Sequence, residues 1–298
     1  MMMRIGIKSL LLFAALPALT GCLSTTRSVM QTHAPPQVLT SSLDSLVKTT
    51  TERYNYIKTL KASVEMQAST GGGKQGKVVD YTSFNGYILL RQPGDFHFLG
   101  LLPAIHTRMV DMVTNGDTFT MVIPPKSRAV TGSNTVTAPS ANALENLRPT
   151  MFTDSLMIRS AKAGELVSLV SDERIFQPDP TKKYLVSEPE YDLAIFRPVE
   201  NSSQELKTQR VIHIGRQTLM PYQQDIYDEK GQLVTVTNYE DYKLFGDVTF
   251  PSKITIRRPL DDITLHMTIT QLSLNQPLED DQFEVPKIPA SYQVQRLP

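Results

Sequence analysis

The sequence contains a single cysteine, Cys22, in 298 residues. One cysteine cannot form an intramolecular disulfide, so the stability of the fold must come from a hydrophobic core. No apolar run reaches the length of about 20 residues that a transmembrane helix needs. Basic and acidic residues number 30 each and no basic block stands out, which argues against nucleic-acid binding.

Catalytic and metal-binding motifs are also missing from the sequence. The five histidines are scattered, with no HExxH motif and no close pair at the spacing of metal ligands. There is no GxSxG motif and no glycine-rich phosphate loop. The paired carboxylates at 261–262 and 279–281 lie in predicted turns beside proline, which favours solvated turn residues over an acid–base pair. The sequence therefore predicts no catalytic residue, no metal site and no cofactor.

The N-terminus has the pattern of a bacterial lipoprotein signal peptide. A short basic start and an almost wholly apolar stretch at 10–19 lead into Leu19-Thr20-Gly21-Cys22. These four residues match a lipobox, in which the cysteine is acylated and becomes the mature N-terminus. We therefore predict a signal peptide over 1–21 and stable membrane anchoring by a multiply acylated, palmitate-bearing Cys22. The alternative is an ordinary signal peptide with a cysteine nearby.

The residues after Cys22 indicate where the protein resides. Position 23 is Leu, whereas an aspartate there retains lipoproteins in the inner membrane of enterobacteria. By that resemblance the chain is predicted to reach the outer membrane and to face the periplasm. Residues 22–40 are rich in Ser, Thr and Pro without a period, which predicts a flexible tether behind the lipidated cysteine.

The remaining chain is predicted to form one domain over 41–290, followed by a C-terminal tail at 291–298. The capping-box-like pattern Ser41-x-x-Asp44 and the spacing of apolar residues predict a helix over 41–59. Strict alternation from Leu60 to Ser69 then predicts a half-buried strand.

Turn signals and further alternation predict mostly antiparallel strands. Asn115-Gly116 is a strong hairpin signal, Asp228–Gly231 separates two apolar runs, and residues 263–274 alternate between polar and apolar. Between these β blocks, residues 141–175 are predicted to be helical. Few strands are fully apolar, which argues against a parallel α/β architecture.

Several stretches resemble the LolA/LolB superfamily of lipoprotein carriers. They are VTNGDTFTMVIPPKSRAVTG, PYQQDIYDEKGQLVTVTNYEDY, FPSKITIRRP and LHMTITQLSLNQPLEDDQFEVP, and the resemblance covers about 42–288. It implies an α+β fold, an incomplete antiparallel β-barrel formed by a curved sheet whose open side is covered by helices. The space between sheet and helices would hold acyl chains. Because LolB is itself an outer-membrane lipoprotein that receives cargo, the resemblance also implies an acylated ligand and a periplasmic carrier protein as partners.

A set of apolar residues is predicted to line this cavity. Methionine adapts its shape to variable apolar partners, although for any one methionine a gap-filling role in a core is the simpler interpretation. The predicted lining, from the first helix, the central strands and the helical insertion, is Tyr54, Ile57, Phe98, Met112, Phe119, Met121, Phe152 and Leu156.

The run Leu99-Gly100-Leu101-Leu102-Pro103 is predicted to connect two strands. Connections normally lie on the surface and are polar, and contiguous exposed apolar groups usually mark a partner or membrane site. LolB has an exposed leucine in the equivalent connection, so the resemblance implies that Leu101 or Leu102 inserts into the membrane. The alternative is that the strand continues through Leu102 and both leucines are buried.

The sequence thus predicts a non-enzymatic lipoprotein that binds the acyl chains of lipoproteins or lipids for sorting or transfer. The alternative is an envelope-assembly or sensing lipoprotein that uses the same fold, with a filled core, as a scaffold for protein interaction. A hydrolase of cell-wall or lipid substrates would need a polar cluster in a cleft, which the sequence does not indicate.

Overall fold

A computed structural model of the chain describes residues 28–35, 37–72, 76–103, 107–134, 147–200, 202 and 204–297. The predicted signal peptide and Cys22 lie outside the described residues, as does part of the predicted helical insertion, 141–146. The chain forms two compact units. A small unit contains Ile175–Ser187 and the described residues up to Ala34, and a large unit contains the described residues of Pro35–Arg174 and Glu188–Pro298. The predicted domain 41–290 therefore contributes to both units.

The described residues contain two α-helices and sixteen strands. The helices are α1 (Leu43–Tyr56) and α2 (Pro149–Leu156). The strands are β1 (Gln31–His33), β2 (Thr59–Gly71), β3 (Val78–Asp80), β4 (Phe84–Arg91), β5 (Asp95–Leu101), β6 (Arg108–Thr114), β7 (Thr118–Ile123), β8 (Arg128–Ser133), β9 (Leu166–Phe176), β10 (Tyr184–Pro198), β11 (Leu206–Gly215), β12 (Met220–Tyr227), β13 (Leu233–Phe245), β14 (Val248–Arg258), β15 (Ile263–Leu274) and β16 (Gln293–Leu297). Within these residues, no helix is long and apolar enough to cross a membrane.

The small unit contains a short parallel strand pair. β1 runs alongside the first residues of β10, with Gln31 opposite Tyr184. The ring of His33 packs edge-on against Tyr184 at a centroid distance of 5.2 Å. A part of the predicted tether is therefore a strand.

The large unit contains an open, curved, mostly antiparallel sheet. Its strand order is β10-β11-β12-β13-β14-β15-β2-β4-β5-β6-β7-β8-β16, with β16 parallel to β8. Buried side chains from distant strands, such as Met121 of β7, Val130 of β8 and Tyr239 of β13, belong to one core, so the sheet curves around them. This confirms the predicted fold class, an incomplete antiparallel β-barrel with helices.

The period-two segments of the sequence form strands as predicted. In β2 the residues Leu60, Ala62, Val64, Met66 and Ala68 are at most 8% exposed and alternate with more exposed neighbours. The hairpins β6–β7 and β12–β13 turn at the predicted positions. Alternation is reliable here because one face of each strand packs on the core and the other meets solvent.

Helix α1 begins one residue later than the capping pattern suggested. Ser42 is the N-cap, and its side chain accepts a hydrogen bond from the backbone N–H of Ser45 at 3.2 Å. The predicted helix over 41–59 is therefore shorter, because Thr59 already belongs to β2. Leu46 packs into a second core with residues of β10 and β11, namely Tyr191, Leu193, Ile195, Ile212 and Ile214.

Two predicted segments differ in part from the structure. The helical region at 141–175 contains only α2 among its described residues, and Leu166–Phe176 is the strand β9. Val167, Val170 and Ile175 are β-branched and favour a strand. The spacing of the apolar residues does not distinguish a helical period of 3.6 from a strand period of two in an 11-residue segment. The predicted tail at 291–298 contains β16, which adds to the sheet beside β8 and buries Leu297 in the main core.

Candidate functional site

An apolar pocket of about 310 Å³ lies between the C-terminal half of α1, the residues that end α2, and β12–β14. Ligand sites of proteins usually enclose about 300–1,000 Å³ and are lined mainly by apolar side chains. A methylene occupies roughly the volume of one water molecule in the liquid, about 30 Å³, so the pocket has room for about ten methylenes. This volume holds one acyl chain over about ten methylenes, so a chain as long as palmitate would lie partly outside the pocket.

The first wall of the pocket is one face of α1. Thr50, Tyr54 and Ile57 recur at helical spacing and line the pocket together. The end of the helix is held in place by Gln92, whose side-chain amide donates to the carbonyl of Tyr54 at 2.9 Å and to that of Ile57 at 2.7 Å. These bonds satisfy terminal carbonyls that have no partner within the helix, so this wall is fixed.

The second wall comes from the sheet and depends on an unusual residue in β13. Tyr239 and Tyr242 both line the pocket, although residues three apart in a regular strand face opposite sides. Asp241, between them, has a left-handed backbone conformation with φ 51°, which interrupts the alternation. The carbonyl of Asp241 accepts a bond from Ser252 Oγ at 2.7 Å, and its carboxylate pairs with Lys253 Nζ at 2.6 Å.

The third wall follows α2, which polar contacts hold against the sheet. Ser155 Oγ lies 2.9 Å from Thr237 Oγ1, and the Gln224 amide donates to the carbonyl of Asp154 at 2.9 Å. Asp154 also lies 3.5 Å from the buried guanidinium of Arg210. Because α2 is fixed in this way, the next residues, Leu156, Met157 and Ile158, point their apolar groups at the pocket.

The interior of the pocket carries no charge. Burial raises the pKa of Tyr239 well above its ordinary value, so its hydroxyl stays neutral. Burial also raises the pKa of Tyr242, despite the opposing effect of Arg53, and the Tyr242 hydroxyl donates to the carbonyl of Pro221 at 2.6 Å. The charged groups Glu52 and Arg53 are exposed at the rim. This arrangement favours a ligand whose apolar part lies inside the pocket and whose polar part lies at the mouth.

A polar cavity of about 380 Å³ adjoins the apolar pocket, and Tyr54 and Met157 line both. Its charged lining residues are Arg91, Asp95, Asp154, Arg159, Lys162 and Arg210, an excess of basic groups. Several of these charges are paired, for example Arg159 with Glu165 at 3.1 Å. A ligand with an apolar chain and a polar head would therefore find both environments side by side.

The structure brings the predicted lining residues into one apolar cluster but divides them between pocket and core. Tyr54, Ile57 and Leu156 line the pocket. The other five lie in the main core and are at most 3% exposed. They are Phe98, Met112, Phe119, Met121 and Phe152.

The centre of the core is packed. Phe152 of α2 stacks on Phe96 at a centroid distance of 5.7 Å and on Phe98 at 5.5 Å. Met112 and Met121 are opposite each other on β6 and β7 and fill the space beside these rings. For these methionines the gap-filling interpretation applies, since none of the five core residues lines the pocket.

The predicted apolar connection is shorter than expected. β5 continues to Leu101, which is opposite Asn85 of β4 and Arg108 of β6. The backbone N–H of Leu102 donates to the carbonyl of Thr107 at 2.9 Å. Leu101 and Leu102 are both half-buried, so neither alternative of the sequence analysis describes them fully.

Most of the sheet wall of the pocket was missed by sequence reasoning. The missed residues include Pro221, Tyr239, Tyr242, Phe250 and Pro251. The density of aromatic residues in YEDYKLFGDVTFPSK was an available signal. Its register against α1 depends on tertiary packing, which the sequence pattern does not contain.

No family model matches the sequence, and no curated protein matches it. Solved structures similar to the chain include a LolA superfamily protein from Nitrosomonas europaea, with 13% identity, a TM-score of 0.49, and coverage of 82% of this chain and 98% of that one. A putative outer membrane lipoprotein-sorting protein domain from Vibrio parahaemolyticus has 13% identity, a TM-score of 0.49, and coverage of 81% and 94%. A DUF1329 family protein from Desulfovibrio piger has 16% identity, a TM-score of 0.48, and coverage of 81% and 95%.

Proposed function

We propose that the protein is a lipid-anchored lipoprotein of the outer membrane that binds one acyl chain of a lipoprotein or lipid for sorting or transfer. The observation that carries this proposal is the uncharged pocket of about 310 Å³ between α1, α2 and β12–β14. The resemblance of the sequence to lipoprotein carriers agrees with such a ligand. In this proposal a periplasmic carrier protein delivers the acylated cargo and no catalytic residue takes part.

The expected affinity follows from the size of the pocket. Burying about ten methylenes at about 0.8 kcal/mol each contributes about 8 kcal/mol. That free energy corresponds to a dissociation constant of about 1 μM, and the cost of ordering the chain makes this the tightest value to expect. Micromolar binding suits a protein that must also release its ligand.

The test of the pocket is to fill it. Val248 is half-buried at the start of β14 and lines the pocket, so Val248→Trp places a large ring inside it. We expect cis-parinaric acid to bind the unlipidated protein and to bind Val248→Trp at least about tenfold more weakly, with an unchanged melting temperature. The matched control is Val294→Trp, at a valine that is 49% exposed on β16. Equal affinities in the wild type and both variants, or no uptake by any of them, would contradict the proposal.

Anchoring at Cys22 is a separate part of the proposal. Cys22→Ser removes the thiol that receives the lipid, so we expect loss of labelling by radioactive palmitate and release of the protein from the outer-membrane fraction. Retention of the Cys22→Ser variant in carbonate-washed outer membranes would show that another segment attaches it.

The packed centre of the core favours one other function. Five of the eight predicted lining residues are buried in contact with one another or with their neighbours, as a scaffold with a filled core requires. An envelope-assembly or sensing lipoprotein of this kind would bind a protein partner and no acyl probe. The titration with cis-parinaric acid separates the two functions, because only a carrier binds the probe in the wild type and loses that binding in Val248→Trp.

A further inference from the structure

A second polar cluster lies on the opposite face of the sheet from the core. In β10 and β11 the residues Leu193, Ile195, Ile212 and Ile214 face the second core. Since side chains alternate along a strand, Asp192 and His213 point to the other face, and the two are directly opposite each other in the register. Asp225 of β12 joins them from the third strand.

The imidazole of His213 is surrounded by carboxylates. Its Nδ1 lies 2.7 Å from Asp192 Oδ1 and 4.0 Å from Glu190 Oε1. Its Nε2 faces Asp225 Oδ2 at 3.5 Å and is buried without a well-formed hydrogen bond. The side chains of all four residues are between 9% and 22% exposed. Three carboxylates thus share one histidine in a poorly solvated position.

A β-bulge completes the cluster. The register between β11 and β12 shifts after His213, so that His213 is opposite Gln223 and Ile214 is opposite Pro221. The extra residue in β12 is Tyr222, and its hydroxyl donates a hydrogen bond to the Glu190 carboxylate. Bulges commonly redirect a side chain in this way beside functional sites.

We propose that Glu190, Asp192 and His213 Nδ1 form a binding site for a divalent transition-metal ion such as Zn²⁺. The three ligand atoms lie within 4.8 Å of one another. Zinc binds imidazole nitrogen and carboxylate oxygen at about 2.0–2.2 Å, so ligand atoms stand up to about 4 Å apart around the ion. Closing the site needs an inward movement of Glu190 and a slight separation of Asp192 Oδ1 from His213 Nδ1, because atoms hydrogen-bonded at 2.7 Å are closer together than two ligands of a tetrahedral zinc ion.

The surroundings match those of metal ligands in other proteins. A metal-bound histidine usually donates its other ring N–H to a carboxylate, and Asp225 is placed to accept it from Nε2. Ligating carboxylates are likewise held by hydrogen bonds, as Tyr222 holds Glu190.

Three protein ligands leave coordination positions open for water or a further donor. A single nitrogen among oxygen ligands favours transition-metal ions over Ca²⁺ and Mg²⁺, which take oxygen ligands almost exclusively. No sequence motif indicates this site, because Glu190 and Asp192 lie far from His213 along the chain and meet it only through strand register.

The test uses the full mature chain without a histidine tag and isothermal titration with ZnCl₂. We expect one site per chain whose affinity falls by at least about 100-fold in His213→Gln and by about 10- to 100-fold in Asp225→Asn. The matched control is His266→Gln, at an exposed histidine on β15, which should leave the affinity unchanged. MgCl₂ should not compete with ZnCl₂.

Three results would overturn the proposal: no zinc binding by the wild type, equal binding by His213→Gln, or an equal loss in His266→Gln. If His213→Gln does not fold, X-ray absorption of the zinc-loaded wild type decides. One imidazole with oxygen ligands is the expected coordination shell. Two or more imidazoles, or water alone, would contradict the assignment and leave an ordinary ion-pair cluster.

Discussion

Asp241 illustrates how a single residue shapes the proposed ligand site. Its left-handed backbone turns Tyr239 and Tyr242 toward the same pocket, and Ser252 and Lys253 stabilise that conformation. Asp and Asn tolerate this region of backbone space better than β-branched residues do. No apolar pattern in the sequence indicates such a residue, which is why sequence reasoning located the helix wall of the pocket and missed the sheet wall.

Leu101 and Leu102 are the residues predicted from the sequence to insert into the membrane. Both are half-buried at the end of β5, so replacing them with glutamate removes apolar contact area without emptying the core. We propose that they enter the bilayer during transfer. Burying one leucine among acyl chains is worth about 1.5–3 kcal/mol. The double variant Leu101→Glu, Leu102→Glu should stay folded and bind cis-parinaric acid but fail to deliver it to liposomes.

The control for this experiment is Leu244→Glu. Leu244 is 68% exposed at the end of β13, close to the pocket residue Tyr242, and so tests whether any exposed leucine near the ligand serves the same purpose. Loss of transfer only in Leu244→Glu would assign membrane insertion to the β13–β14 hairpin. Unfolding of the double variant would show that Leu101 and Leu102 are structural.

Among the elements, α1 connects the two cores of the large unit. Leu46 packs on β10 and β11, whereas Ile57 belongs to the main core and lines the pocket. Its position was predictable because apolar residues recur at helical spacing and β2 follows with a clear period of two. The residue at which α1 begins was not predictable, because the adjacent Ser41 and Ser42 offer the same capping chemistry.

The two serines allow a matched test of α1. Replacing an N-cap serine with alanine costs typically about 1 kcal/mol. Ser42→Ala should lower the free energy of unfolding by about that amount and leave acyl binding unchanged, because the pocket wall is the C-terminal half of α1, which Gln92 holds. Ser41→Ala, at the position that the sequence pattern suggested, should change neither quantity in urea unfolding and cis-parinaric acid titration. Equal effects of both changes would contradict the assigned cap.

The strand β9 and the strand β16 mark the limit of element prediction. β9 (LVSLVSDERIF) and β16 (QVQRL) mix apolar with polar residues and show no clear alternation, and both become strands by pairing with a partner that is distant in sequence or follows a turn. Long alternating strands and Asn-Gly turns were predicted correctly because their signals are local. In β9 and β16, pairing with other strands determines the strand conformation.

In the molecule as a whole, the large unit divides its apolar surface between structure and proposed function. The region around Phe98, Met112 and Phe152 is filled by stacked rings and methionines, and the free volume lies at the side, between α1 and β12–β14. The sequence predicted a curved sheet with helices and an apolar interior. It did not predict which part of that interior stays empty, because packing depends on side chains from strands that are distant along the chain.

Photo-crosslinking of the unlipidated protein with a diazirine-bearing palmitate, followed by peptide mapping, shows directly whether an acyl chain occupies the pocket between α1 and β12–β14. We expect label on α1 around Thr50–Ile57 and on the Tyr242–Pro251 hairpin, and we expect unlabelled palmitate to compete with it. Phe98, Met112 and Met121 should carry no label, because they are packed in the core. Label concentrated on those central strands would contradict an acyl site in the apolar pocket. The absence of any label that unlabelled palmitate reduces would contradict it as well.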